Sequence, residues 1–151
     1  MKAGAFAYAR PSSLAEVFDL LERCGGEAKI LAGGQSLIAA LNMRLAAPAM
    51  LIDINGLADL AGISVSGETV RIGALTRHRS VERSVEIARH LPLLHQAMPS
   101  VAHAAVRNRG TFGGSIAYAD PAAELPACSV ALDATFRIAG KGGERCVPAR
   151  R

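Results

Sequence analysis

Phe6 and Tyr8 alternate with alanine near the start of the chain, a period-two pattern that predicts a short strand. Leu14, Val17, Phe18 and Leu21 then fall at the three-and-four spacing of one buried helical face. Ser13 is placed to cap that helix, and Glu16, three positions on, completes a capping box. Gly25-Gly26 ends the helix, and residues 29–32 return as a buried strand. The opening therefore reads strand–helix–strand, the grammar of a parallel unit. Ser36 is placed to cap a second helix through Leu37, Ile38, Leu41 and Leu45, stopped before Pro48, and residues 50–54 read as a third strand. Residues 1–55 are thus expected to form a small parallel βαβ lobe of three strands and two helices.

The pattern changes after Asn55-Gly56. Residues 63–66 and 69–72 alternate in polarity around Gly67-Glu68, which predicts a β-hairpin, with Thr76 closing its second strand. Helices are expected over 80–87 and 91–98, and another over 126–132. A strand at 135–138, a Gly140-Lys141-Gly142-Gly143 turn and a strand at 145–148 complete the sequence. The last strand begins a ladder whose next member is missing at Arg151, so this second lobe, 56–151, reads as incomplete. No internal repeat is evident.

Composition narrows the function classes. The chain has 151 residues, half of them apolar, enough for one domain or two small lobes. No apolar run approaches the roughly 20 residues of a membrane-spanning helix, and no secretory signal is evident. The net charge of +4 is dispersed, and four Phe, two Tyr and no Trp offer little for stacking on bases, so nucleic acid is not expected as a partner. Cys24, Cys128 and Cys146 form no CxxC pair, which argues against a disulfide framework or a protein-held metal or iron–sulfur centre and favours a reducing, cytoplasmic setting. His78, His90, His95 and His103 lack metal-ligand spacing and read as surface or capping residues.

The candidate chemistry lies in two glycine-rich turns, Ala32-Gly33-Gly34-Gln35-Ser36 and Thr111-Phe112-Gly113-Gly114-Ser115, about 80 residues apart. Each sets paired glycines and a hydroxyl beside an expected helix start, where backbone N–H groups can close around an anion. Two such turns point to a ligand with linked phosphates held between two halves of a fold. The first would lie at the C-terminal end of a parallel strand, where open α/β sheets bind ligands.

The segment from Val106 to Pro126, VRNRGTFGGSIAYADPAAELP, closely resembles the signature of the FAD-binding medium subunit of molybdenum hydroxylases, the carbon monoxide dehydrogenase and xanthine dehydrogenase type. Lys29-Ile30-Leu31-Ala32-Gly33-Gly34-Gln35-Ser36-Leu37, Ile52-Asp53-Ile54 and Ile72-Gly73-Ala74-Leu75-Thr76 carry further elements of it in order, so the resemblance spans essentially the whole chain. Phe112, Ser115 and Tyr118 depart from the Ile, Asn and His that family members commonly carry. Ser115 keeps a hydrogen-bonding group but loses the reach of an amide.

The resemblance implies an α+β, two-lobed FAD-binding domain of the PCMH type: a small N-terminal parallel βαβ lobe and a larger mixed or antiparallel β lobe with helices. It also implies a separate C-terminal domain that helps cover the flavin ring, which is absent here. FAD is the implied cofactor, with Lys29, Ala32, Gly33, Gly34, Gln35, Ser36, Leu37, Thr76, Gly110, Thr111, Gly113, Gly114, Ser115 and Asp120 as its contacts. The two turns would hold the pyrophosphate, and Asp120 a ribityl or ribose hydroxyl. Thr76 would lie near the phosphate or ribityl chain, and Lys29 near the adenosine end. No catalytic side chain is expected, because the flavin carries the chemistry. The implied partners are an iron–sulfur small subunit and a molybdopterin-containing large subunit, with electrons passing through FAD to an external acceptor that the sequence leaves open. The alternative is a truncated docking scaffold without firmly bound flavin. Arg107 and Arg109 read as surface arginines, Glu124 as structural and Asp53 as capping a turn.

Overall fold

A computed structural model describes residues 2–150; Arg151, where the expected second lobe ends, lies outside them. The chain divides into two compact units, Met1–Ala58 and Asp59–Arg151.

The first unit is built on a three-stranded parallel sheet of β1 (Ala7–Ala9), β2 (Ala28–Leu31) and β3 (Met50–Asp53), in the order β1-β3-β2. The last strand in sequence thus inserts between the first two. Leu51 and Ile52 on β3 are fully buried. The sequence reading of residues 29–32 as a buried strand is corrected, because β2 lies at the sheet edge and leaves Ile30 45% exposed. Helix α1 (Leu14–Cys24) buries Val17, and Ser13 Oγ accepts from the Glu16 N–H at 3.2 Å as expected. The return half of the capping box differs by one residue: the Glu16 carboxylate accepts from the Ser12 N–H at 2.7 Å.

Helix α2 (Leu37–Asn42) is shorter than expected. Arg44 takes a left-handed conformation at φ 57°, and the chain closes through Arg44 N–H to Leu41 O and Leu45 N–H to Ala40 O. This is a Schellman termination with arginine where glycine is usual. Leu45, expected on the buried face, lies beyond the end of the helix and is 75% exposed.

The second unit opens on the predicted hairpin, β4 (Ile63–Ser66) and β5 (Thr69–Ile72), joined by a two-residue turn. Thr76 does not extend β5, because residues 73–75 form a turn closed by Thr76 N–H to Gly73 O at 3.0 Å. The helix expected over 80–87 is two helices, α3 (His78–Arg83) and α4 (Val85–His90). Ser84 separates them with ψ 122°, and its Oγ accepts from Ile87 N–H at 3.2 Å, so a residue read as helical interior is an N-cap. Helices α5 (Pro92–Ala97), α6 (Ala104–Arg109), α7 (Phe112–Tyr118) and α8 (Glu124–Ala131) follow, then the β6 (Thr135–Gly140) and β7 (Gly143–Pro148) ribbon. The core gathers Val81, Ile87, Leu94, Met98, Val101, Leu125 and Cys128. Burial raises the Cys128 thiol above its ordinary value, with the nearby Glu124 adding to the effect. The fold is α+β, with one parallel sheet and two antiparallel ribbons.

Candidate functional site

The first glycine turn leaves β2 at its C-terminal end. Gly34 sits at φ +72°, a conformation that favours glycine, and a Cβ there would also crowd Ile38 Cγ1 at 3.1 Å and Leu31 Cδ1 at 3.3 Å. Ser36 is not a side-chain cap: it is already helical at φ −100°, ψ −47°, and its hydroxyl makes no capping bond. Among the described residues, none of the amides of Gly33, Gly34, Gln35, Ser36 and Leu37 donates to a backbone carbonyl. Five consecutive amides around a left-handed glycine form the kind of concavity that binds anions. Gln35 folds back to donate to Gly33 O at 3.1 Å, and Lys29 and Ser36 are exposed.

What holds this turn in place was not legible as a motif. At the end of β3, Asp53 Oδ1 accepts from the Asn55 N–H at 2.9 Å and from Asn55 Nδ2 at 2.7 Å, and Asp53 Oδ2 accepts from the Tyr8 hydroxyl at 2.5 Å. Asn55 Nδ2 also donates to Ala32 O at 2.8 Å. Burial raises the Asp53 carboxyl, but the Tyr8 and Asn55 hydrogen bonds, with Arg10 nearby, outweigh it and hold the group below its usual range. The same bond raises the Tyr8 phenol. Asp53 caps a turn, as the sequence suggested.

The second glycine segment differs from the expected loop: Gly113, Gly114 and Ser115 lie inside the first turn of α7. A Cβ on Gly113 would come within 2.6 Å of Ala74 Cβ and 2.7 Å of Ala74 Cα, so this glycine permits close packing. The Gly113 and Phe112 amides are consumed by Ala74 O at 2.8 Å and Thr76 O at 2.9 Å, and the Ser115 amide bonds Thr111 O at 3.1 Å. Among the described residues, the Thr111 and Gly114 amides lack a backbone acceptor, and Thr111 Oγ1 is buried without a hydrogen-bond partner. The Thr76 hydroxyl is committed to Gly62, donating to its oxygen and accepting from its N–H, each at 2.9 Å. Asp120 is exposed, and its Oδ1 accepts from the Ala122 N–H at 2.9 Å in the turn before α8.

Two residues read as surface groups are structural. His78 is buried, not a surface or capping residue: its N–H donates to Gly110 O and its Nε2 lies 3.0 Å from Thr111 O, while Nδ1 has no partner. A carbonyl only accepts, so Nε2 carries the proton of the neutral ring. Burial lowers the His78 value, and Arg107 lowers it further against the opposing pull of Glu124 and the Thr111 bond. Arg107 donates from Nε to Glu82 at 3.2 Å and from one terminal nitrogen to the carbonyls of Pro99, Val101 and Ala102. With Arg79 at 2.9 Å, it holds the Glu82 carboxyl below its ordinary range against burial. Among the described residues, no cluster of His, Cys, Asp or Glu could hold a metal ion, and no helix is long and apolar enough to cross a membrane.

In the first unit an open set of amides lies at a parallel strand's C-terminal end; in the second, taken by itself, the start of α7 leaves the Thr111 and Gly114 amides without a backbone acceptor among the described residues. Residues 4–151 match the family described as the FAD binding domain in molybdopterin dehydrogenase, and the chain belongs to that family. It is 47% identical over 98% of its length to the 6-hydroxypseudooxynicotine dehydrogenase complex subunit alpha of Paenarthrobacter nicotinovorans, covering 50% of that protein. It is 44% identical over 95% of its length to the carbon monoxide dehydrogenase medium chain of Hydrogenophaga pseudoflava, again covering 50%. The solved carbon monoxide dehydrogenase of Hydrogenophaga pseudoflava, in a form lacking the Mo-pyranopterin moiety, superimposes with a TM-score of 0.97 at 44% identity. That alignment covers 99% of this chain and 52% of the other. The chain spans about half the length of the curated relatives it matches. FAD is the cofactor of this family, and the amides of residues 33–37 in the first unit are donors of the kind a phosphate accepts from.

Proposed function

We propose that this chain is the FAD-holding part of an electron-transfer subunit in a cytoplasmic molybdenum hydroxylase complex. In this reading an iron–sulfur small subunit delivers electrons drawn from a molybdopterin-containing large subunit, and an external acceptor removes them. The observation that carries the proposal is the run of amides from Gly33 to Leu37, with no backbone acceptor among the described residues, set around a left-handed Gly34. Such donors neutralise a pyrophosphate without the bulk of side chains.

When bound, FAD supplies the capacity to take electrons singly and release them in pairs. The chain's own residues bind and orient it. In the first unit, Ala32, Gly33, Gly34, Gln35, Ser36 and Leu37 offer main-chain donors and Lys29 an exposed cation. In the second, Thr111, Gly114 and Ser115 offer amide and hydroxyl groups, and Asp120 keeps one carboxylate oxygen for a hydroxyl. Gly110, Gly113 and Thr76 set the backbone that presents them. The assignment of these contacts, and of residues 1–55 and 56–151 as the two lobes of an FAD domain, belongs to the same proposal. The match over residues 4–151 to an FAD-binding family supports it over a docking scaffold without flavin.

Reconstitution tests it. The 151-residue chain titrated with FAD should quench flavin fluorescence to a 1:1 endpoint, and denaturation should release free FAD. A chain that is folded by circular dichroism yet takes up no FAD would end this reading.

A further inference from the structure

We propose that Asn55, itself held by Asp53, is a positioning residue that keeps the first glycine turn in its ligand-receiving conformation. The inference rests on the FAD reading of that turn and adds to it Asn55, a residue outside the motifs quoted above.

The argument starts from the strand ends. β2 is an edge strand with β3 as its single neighbour, so the turn that follows it has little sheet to hold it. The main-chain bond on the entry side runs from Ile54 N–H to Leu31 O at 3.0 Å, one residue before the turn, and the exit side is held by Ile38 N–H to Gly34 O at 3.0 Å. Beyond that point the amides of residues 33–37 are directed to no backbone carbonyl. A loop with its donors unspent gains nothing from them until a ligand arrives, so something else must fix its entry.

The Asn55 side chain does so. Its Nδ2 donates both to Ala32 O at 2.8 Å and to Asp53 Oδ1 at 2.7 Å. Asp53 is in turn fixed by the Asn55 N–H at 2.9 Å and by the Tyr8 hydroxyl on β1. One carboxylate thus ties the C-terminal ends of β1 and β3 to the first residue of the glycine turn. The arrangement also handles a charge problem. A carboxylate near an anion-binding turn would repel its ligand, and here three donors and the nearby Arg10 disperse that charge. Asparagine is required at residue 55 because it offers two protons on one nitrogen, one for the carboxylate and one for the carbonyl. Aspartate has the same shape but no proton to give.

The test uses two variants and two readouts. Asn55→Ala removes the side chain without adding charge, and Asn55→Asp keeps its shape while removing both donated bonds and adding a carboxylate beside Asp53. In the ligand-free chain, ¹⁵N order parameters at Gly33, Gly34 and Gln35 should fall in both variants from the rigid range near ~0.85 to below ~0.6, with the β4–β5 hairpin unchanged. FAD and ADP affinities should drop together by about tenfold in both variants, because a displaced turn loses the phosphate grip that the two ligands share. Wild-type order parameters at the turn in both variants would overturn the proposal. So would an Asn55→Asp chain that binds FAD like wild type, since packing alone would then suffice. A wild-type chain that takes up no FAD would instead remove the FAD reading, and the order parameters would still decide the role of Asn55.

Discussion

His78 shows how much one side chain commits to the second glycine segment. Its main chain and its ring hold successive carbonyls, Gly110 O and Thr111 O, and the neutral ring leaves Nδ1 without a partner. Protonation would put an N–H where nothing accepts it, beside Arg107, with Glu124 the opposing charge. The folded value lies below the unfolded one, near ~6.5. The stability His78 contributes is therefore present above about pH 6.5 and is lost as pH falls through the folded value. Urea midpoints measured from pH 7.5 down to 5 should decline in the wild-type chain. The decline should be shallower in His78→Gln, which can still donate to Thr111 O. Equal slopes in the two proteins would show that the acid sensitivity lies elsewhere. Alternation and spacing gave no hint of this residue, since burial of a polar ring depends on neighbours from α6 and α7.

At the scale of elements, boundaries moved where a single residue's conformation overrode the apolar pattern. Helix α2 stops at Asn42 because Arg44 goes left-handed, a role that sequence rules reserve for glycine or asparagine. Arginine pays about 1 kcal/mol for that conformation. Arg44→Gly should accordingly raise the stability of the chain by about 0.5–1 kcal/mol, read from chemical unfolding, with FAD uptake unchanged. A destabilised variant would mean that the arginine side chain contributes more than its backbone costs. Ser84 is the complementary case. Serine inside an expected helical run looks neutral, yet it ends α3 and caps α4. The hairpin at 63–72 and the first helix were legible because their signals are local: alternation around Gly67, and a serine followed three residues later by glutamate.

For the whole molecule, ligand linkage gives the broadest prediction. A ligand that binds only the folded chain stabilises it by about 2.7 kcal/mol at 100 times its Kd. For a chain of this length that corresponds to roughly 5–10 °C in Tm. FAD at that excess should raise Tm by this amount, and ADP should reproduce much of the shift. Riboflavin, which has no phosphate, should produce almost none if the main-chain amides carry the binding. A riboflavin shift equal to that of FAD would move the principal contacts from the phosphates to the ring.

The sequence by itself determined the family, the cofactor class, the parallel and antiparallel sheets and the location of both glycine segments. Each of these is written in residue types at fixed short spacing, and short spacing is what local backbone geometry reads. Tertiary structure decided which amides remain unspent. Among the described residues, none of the five at the first turn meets a backbone carbonyl; at the second, Ala74 O and Thr111 O consume the Gly113 and Ser115 amides that the motif offered. It also decided that β2 is an edge strand, that His78 is buried, that the half-buried Arg107 binds Glu82, and that Asn55 ties Ala32 to Asp53. Those facts depend on carbonyls and side chains brought together from 20 to 40 residues away, as in the Asn55–Ala32, Arg77–Thr111 and Phe112–Thr76 pairings. A donor's availability depends on whether a distant acceptor arrives, and only the folded chain answers that.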